Sequence, residues 1–393
     1  MAVNQENWKE LKIIRDFYQI QDDGIMPEGS RALLEATDLV LFEAGQDIVI
    51  CGNTAEDGMY IILEGETVVL GPKGTLISEQ SAGDVIGELA LIKDGVRKAT
   101  VRAVTAVSCA HISKEVFDEL ASGNPKIYGA LLELLYTKTT KIVAERERMK
   151  SELEIAAKIQ SGYLPKSFEA FSELPDVKIT ARMKPAKMVG GDFYDVFLID
   201  GNSLCFLIAD VAGKGIPASL FMTVAKTHIR NYMKLGMSLS EAASRINNLL
   251  TEENEQELFV TVFLCVLNVQ DNSLSFINAG HNRPYISRAG GPFEPLSCRV
   301  NFVFGMMEDM PYQVQKTVLN PGDRIYLYTD GVTEAFDIQG EMFSDGRVPE
   351  TLNSHLDISH DPEAVLDLMY QELEKFSAGA EQSDDITMVY LAR

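Results

Sequence analysis

Short apolar runs separated by glycine turns fill the chain from about Val40 to Ile112. Ile48 to Ile50, Met59 to Leu63, Thr67 to Leu70 and Ala99 to Val104 read as strands, with turns at Glu56 to Gly58, Leu63 to Glu66 and Gly71 to Gly74. Strands this short and this evenly spaced predict a small β-barrel or jelly roll. The pattern changes after Pro125. Residues 127–164 contain no proline, and glycine only at Gly129 and Gly162. Leu131, Leu135, Ile142, Met149, Leu153, Ala156 and Ile159 recur among Lys, Arg and Glu, which predicts an amphipathic helix of about ten turns. Such a helix is too long for one small domain to cover, so a parallel coiled coil between two copies is the expected way to bury its stripe. The heptads are imperfect, and the alternative is a single linker helix packed on its own domains.

From Val177 onward strands and helices mix. Leu204 to Val211, Phe259 to Val269, Asp323 to Asp330 and Asp385 to Ala392 read as buried strands. Ser219 to Gly236 and Ser238 to Leu250 read as consecutive helices, the second opened by a Ser/Glu capping pattern. A further helix over 361–376 is opened by Asp361 and Pro362. Strands at both ends with helices between them predict an α+β sandwich.

Composition narrows the picture. With 393 residues, 46% of them hydrophobic, two or three domains with full cores are expected. A net charge of −23 argues against nucleic-acid partners, which meet a basic face. No apolar run approaches the roughly 18 residues that would cross a bilayer, and the opening MAVNQENWKEL lacks the layout of a signal peptide. Cys51, Cys109, Cys205, Cys265 and Cys298 form no CxxC pair, which suits reduced, buried thiols in a cytoplasmic protein and disfavours zinc.

The chemistry lies in four acidic motifs: GGDFYD (Gly190 to Asp195), DVAGKG (Asp210 to Gly215), YTDG (Tyr328 to Gly331) and SDDIT (Ser383 to Thr387). Each sets an aspartate beside glycine or at the start of a β-type run, where a carboxylate can leave a strand end and enter a cleft. Singly, an Asp-Gly pair is an ordinary surface turn. Together, Asp192, Asp210, Asp330 and either Asp384 or Asp385 form an all-oxygen set suited to Mg²⁺ or Mn²⁺, and two such ions suit phosphate hydrolysis. No Ser–His or Cys–His pattern offers a covalent route.

The order and wording of these motifs resemble the SpoIIE-like and RsbU-like bacterial serine phosphatases of the metal-dependent PPM superfamily. The resemblance runs over 155–393 and includes MKPAKMVGGDFYD (Met183 to Asp195), DVAGKGIPASL (Asp210 to Leu220), INAGHNRP (Ile277 to Pro284), LNPGDRIYLYTDGVTEA (Leu319 to Ala335), SDDITMV (Ser383 to Val389) and the helical lead-in EIAAKIQSGYLP (Glu154 to Pro165). It implies that Asp210 bridges two Mn²⁺ or Mg²⁺ ions with the carbonyl of Val211 as a further ligand, that Asp192 binds largely through water, and that Asp330 and Asp384 complete the shell. Asp385 is then a supporting or third-metal residue. If that segment is a strand, neighbours face opposite ways and only one of Asp384 and Asp385 can be a direct ligand. Asp195 is expected to hold a turn or support Asp192, and Lys214 to lie at the surface or meet substrate phosphate. His281 reads as a strand-end hydrogen-bonding residue. Arg182 lies where a phosphate-binding arginine could sit, although the family shows no reliable arginine there. FSDGR (Phe343 to Arg347) departs from the family pattern.

Residues 30–125 in turn resemble cyclic nucleotide-binding domains, through GDVIGELALIKDGVRKATVRA (Gly83 to Ala103). The resemblance implies a phosphate-binding cassette of Gly87, Glu88, Leu89, Ala90, Arg97, Lys98 and Ala99. A short helix opening at Gly87 offers backbone N–H groups, Arg97 pairs with the cyclic phosphate and Glu88 accepts a ribose hydroxyl. Lys98 stands where a hydroxyl often favours cGMP in relatives, so cAMP is expected. The domains expected are a helical lead-in at 1–29, a cyclic nucleotide-binding domain at 30–125, a coiled-coil linker at 126–165 and a PPM-type β-sandwich flanked by helices at 166–393. The function expected is a cytoplasmic, homodimeric, nucleotide-regulated serine/threonine phosphatase acting on a phosphoprotein with a STAS domain. A non-catalytic scaffold that senses nucleotide and grips a phosphoprotein is the alternative.

Overall fold

In the computed structural model of the chain, all residues are described except 1–7, 19, 22, 23, 55, 89–94, 124, 125, 172 and 253. They form two compact units, Met1–Arg148 and Met149–Arg393. Among the described residues of the first unit, a 3-10 turn (Trp8–Glu10) precedes α1 (Lys12–Phe17) and α2 (Glu28–Glu35). Among the described residues eight strands follow: β1 (Asp38–Phe42), β2 (Asp47–Val49), β3 (Met59–Glu64), β4 (Glu66–Leu70), β5 (Leu76–Ser81), β6 (Val85–Ile86), β7 (Thr100–Ala103) and β8 (Val107–Ile112). They pair as two four-stranded sheets, ordered β1-β8-β3-β6 and β2-β7-β4-β5, and α3 (Lys114–Gly123) comes after them. The two-residue side-chain period of β3 builds both cores. Tyr60 and Ile62 join Val49, Val101 and Ala103 of the facing sheet, while Met59, Ile61 and Leu63 join Ile14, Tyr18 and Leu33 of the helical layer.

The long helix is α4 (Lys126–Tyr163), and the division between the units falls inside it. Leu135 of the expected stripe packs on the core of the first unit, while Ile142, Met149 and Ile159 stay more than half exposed. The side chain of Leu131 lies outside the described residues.

The second unit contains β9 (Lys178–Lys184), β10 (Phe193–Leu198), β11 (Ser203–Val211), α5 (Ile216–Met233), α6 (Leu239–Thr251), β12 (Val260–Asn268) and β13 (Ser273–Ala279). Then come β14 (Tyr285–Ser287), β15 (Phe293–Pro295), β16 (Val300–Asn301), β17 (Gln315–Val318), β18 (Arg324–Tyr328), α7 (Asp330–Thr333), α8 (Ser344–Ser354), α9 (Pro362–Phe376) and β19 (Ile386–Ala392). One sheet runs β10-β11-β12-β13-β16, with β17 also on β13; the other runs β15-β14-β18-β19-β9. The result is the expected sandwich with helices outside. Val389 and Leu391 of β19 face the core shared with β11 and α5, and Met388 and Tyr390 face Leu366 and Met369 of α9. Leu204 to Ala209 are buried throughout, because their sheet is covered on both faces, by the second sheet and by α5 and α6.

Ser238 caps α6 by accepting the Glu241 N–H, and Asp361 caps α9 through the N–H groups of Glu363 and Ala364. The FSDGR stretch opens α8, with Phe343 just before its first residue. All five cysteines are free thiols. Among the described residues no helix is long and apolar enough to cross a membrane.

Candidate metal centre

Strand pairing brings the acidic motifs to one end of the sandwich. Phe193 of β10 faces Ala209 of β11, so Asp192, just before β10, comes beside Asp210. In the other sheet Tyr328 of β18 faces Met388 of β19. Asp330 therefore leaves that sheet where Asp384 and Asp385 enter it. Neither of these last two lies in a strand, since β19 begins at Ile386. Side-chain alternation along a strand therefore does not separate them; their bonds do.

Asp385 is held by main-chain donors. Its Oδ1 accepts the Ala186 N–H at 2.8 Å, and its Oδ2 accepts those of Gly191 at 2.8 Å and Asp192 at 3.4 Å. The carboxylate thus fixes the loop that carries Asp192. It also explains Gly190, where an added Cβ would lie 2.2 Å from Asp385 Oδ2. Asp384 Oδ1 accepts the Asp385 N–H at 2.9 Å, and its Oδ2 is 2.6 Å from Lys214 Nζ. Asp192 is buried, and its Oδ2 accepts the hydroxyls of Thr329 at 2.8 Å and Thr387 at 2.6 Å. The Val211 carbonyl borders the same loop, since a Cβ on Gly191 would approach it to 2.9 Å.

Sequence patterns overlooked Thr329 and Thr387, which read as ordinary β-formers. They also overlooked Gln160 in the last turn of α4, whose Nε2 donates to the Gly190 carbonyl at 2.6 Å and whose Oε1 accepts the Gly190 N–H at 3.1 Å. The available signal was a glutamine in line with Leu153 and Ala156 on the predicted apolar stripe.

Several expected residues stand elsewhere. Asp195 does not support Asp192: it is fully buried on β10 against α5, bonded to Lys226 Nζ at 2.8 Å and Arg230 Nε at 2.7 Å. Arg182 is 2.8 Å from Glu363 and 2.5 Å from Asp367 of α9, and so is engaged away from the cluster. His281 Nδ1 bonds Thr261 Oγ1 at 2.8 Å, and burial lowers its pKa to about 4, which leaves a neutral structural imidazole at neutral pH.

The carboxylates strain against one another. Burial first, then Asp210 and Asp385, hold the Asp192 acid well above the usual range. Burial and then Asp330 push Asp210 up to about 7, and burial raises Asp330 and Asp385 as well. Among the described residues, no three His, Cys, Asp or Glu side chains already converge as a metal-holding group. Yet a set of carboxylates ion-paired with a single lysine among the described residues, plus a main-chain carbonyl, has the chemistry that hard divalent cations require.

A pH dependence follows. A raised folded-state pKa favours folding at low pH, and that contribution is lost as pH rises through it. For Asp210 the window runs from its ordinary value near 4 to about 7. Without metal, the second unit's thermal midpoint should fall by roughly 3–8 °C between pH 5 and pH 8, and Mn²⁺ should restore most of it at pH 8 but little at pH 5. Differential scanning fluorimetry with and without EDTA checks this.

In the first unit Arg97 is buried. Its guanidinium pairs with Asp57, donates to the Gly58 carbonyl at 2.5 Å and reaches the Gly87 carbonyl at 3.3 Å. Asp57 was not expected there. Gly87 sits at φ 78°, and a Cβ on it would strike the Arg97 guanidinium at 2.0 Å. Glu88 is half-buried beside it, while Lys98 is exposed and Ala99 half-buried on the way into β7. Leu89 and Ala90 lie outside the described residues.

Comparison with known proteins gives these arrangements relatives. Residues 200–393 match the model of stage II sporulation protein E (SpoIIE), and residues 39–124 that of the cyclic nucleotide-binding domain. The chain is 32% identical over 272 residues to Protein IcfG of Synechocystis sp., covering 62% of this chain and 41% of that one. It is 33% identical over 190 residues to phosphoserine phosphatase RsbU of Bacillus subtilis, covering 48% and 55%. Over 91 residues it is 36% identical to the cAMP-dependent protein kinase regulatory subunit of Mucor circinelloides, covering 22% and 21%. The chain thus spans about half the length of IcfG and RsbU. The SiaA-PP2C domain of Pseudomonas aeruginosa superposes with a TM-score of 0.56 at 22% identity, over 64% of this chain and 99% of that domain, which shows a PP2C-like fold.

Proposed function

We propose that this chain, which joins a SpoIIE-type C-terminal domain to an N-terminal cyclic nucleotide-binding domain, is a metal-dependent protein phosphatase for phosphoserine or phosphothreonine, regulated by a cyclic nucleotide. The observation that carries the reading is the arrival of Asp192, Asp210, Asp330 and Asp384 at one sandwich end beside the Val211 carbonyl. Asp210, Asp192, Asp330, Asp384 and that carbonyl would hold two Mn²⁺ or Mg²⁺ ions. Such ions supply an acidified water as nucleophile and offset the charge of the phosphoryl group.

The chain's own residues do the positioning. Thr329 and Thr387 aim Asp192, and Asp385 fixes the Gly190–Asp192 loop. The Asp195 pairs with Lys226 and Arg230 tie β10 to α5, the helix that follows Asp210. Likeness to a phosphoserine phosphatase supports a phosphoprotein substrate, read here as a STAS-type anti-anti-sigma factor. Likeness to a cAMP-dependent regulatory subunit supports cAMP over cGMP, held by Arg97 and Glu88. The exposed stripe of Ile142, Met149 and Ile159 supports a homodimer through α4, and the Gln160–Gly190 pair gives movement of that helix a route to the Asp192 loop. A nucleotide can act this way only through unequal affinity for two states.

Hydrolysis of p-nitrophenyl phosphate tests the reading. Turnover in Mn²⁺ or Mg²⁺, lost with EDTA and regained on adding metal back, is expected. A protein silent in both metals towards this ester and towards phosphoserine protein would favour the scaffold.

A further inference from the structure

Lys214 stands out against the carboxylate cluster. Gly213 and Gly215 flank it with φ of 94° and 79°, values that L side chains rarely adopt. The backbone between β11 and α5 therefore turns back, bringing the lysine over the segment before β19. Its Nζ is 2.6 Å from Asp384 Oδ2 and donates to the Ser383 carbonyl at 2.8 Å. The other oxygen of Asp384 is occupied by the Asp385 N–H, so both oxygens of this carboxylate have partners. Among the described residues, Lys214 is the one basic side chain ion-paired with Asp192, Asp210, Asp330, Asp384 or Asp385.

We propose that Lys214 is a resident counter-cation for Asp384, which it must release before that carboxylate can serve a metal ion, so that the lysine sets the metal concentration at which the centre fills. The inference rests on the reading of Asp384 as a metal ligand. Two features favour exchange over a fixed structural pair. The lysine side chain is 48% exposed and that of Asp384 30%, so water can replace either partner. The ammonium hangs from a loop, and among the described residues it is ion-paired with no second carboxylate. The Asp195 pair is the contrast: it is buried, two cations share it, and it has no such freedom.

Calorimetric titration of Mn²⁺ into the full chain decides, using wild type, Lys214→Met, Asp384→Asn and the double variant. Lys214→Met should tighten Mn²⁺ binding about three- to tenfold, the range of a partly exposed charged pair. In the Asp384→Asn background the same change should have little effect, because the lysine no longer has a carboxylate to block. An equal gain in both backgrounds reduces Lys214 to a distant positive charge, and no gain in either removes it from metal binding; each overturns the proposal. A second readout does not depend on affinity: the Lys214 Nζ resonance, assigned by its loss in Lys214→Met, should move towards that of a free lysine as diamagnetic Mg²⁺ fills the site. A resonance that stays put while Mg²⁺ binds overturns the proposal too. Absence of metal binding by every form, wild type included, would instead defeat the metal-centre reading itself.

Discussion

Asp210→Asn is expected to abolish metal-dependent turnover, by at least about a thousandfold, while making the metal-free protein more stable. The two effects share one cause. Asp210 lies next to Asp192 through strand register, and burial with Asp330 lifts its acid to about 7. Removing its charge relieves repulsion in the folded state and takes away the oxygen donor most central to the set. Phosphatase assay and thermal melt should therefore move in opposite directions. A variant that lost activity and stability together would mean that Asp210 holds the fold, and the assignment of this end of the sandwich as the catalytic centre would lose its main support.

The second large effect is expected at Arg97. Replacement by alanine should weaken cyclic-nucleotide binding by about 10- to 150-fold, since a guanidinium–phosphate pair contributes roughly 1.5–3 kcal/mol. Arg97 also holds Asp57 and the carbonyls of Gly58 and Gly87, so its removal loosens the turn before β3 as well. Arg97→Lys separates the two roles: it keeps the charge but loses the planar fork, and should bind nucleotide more weakly than wild type with a near-normal melt. Calorimetry with cAMP and cGMP checks both variants. Unchanged affinity in Arg97→Ala would leave the N-terminal unit without a nucleotide role.

The skeleton of this molecule was largely legible from its sequence, for local reasons. Leu204 to Val211 reads as a strand because both faces of its sheet are covered, and Ser238 and Asp361 mark helix starts with side chains that cap them. Asp192 and Asp330 were legible because each stands beside a glycine, and Asp384 and Asp385 because they open a β-type run. Asp385 packs against Gly190 and Gly331 so closely that a Cβ at either would clash.

What stayed hidden depends on contacts between distant segments. Thr387 and Asp192 are 195 residues apart, Gln160 and Gly190 30, and Arg97 and Asp57 40. No periodicity encodes such pairs. Asp195 misled for a related reason: it shares a motif with Asp192, yet its partners are Lys226 and Arg230, spaced four apart on one face of α5. Helix α8 was obscured by Gly346 and Pro349 inside it. Strand alternation cannot separate Asp384 from Asp385, because β19 begins at Ile386, beyond both.

The most direct test is phosphate release from a phosphoserine-bearing STAS-domain protein, measured with the full chain in Mn²⁺, with and without cAMP. Release that requires the metal, at a rate that changes when cAMP is added, is expected. No release in either Mn²⁺ or Mg²⁺, from a protein that binds both metal and nucleotide, would contradict it.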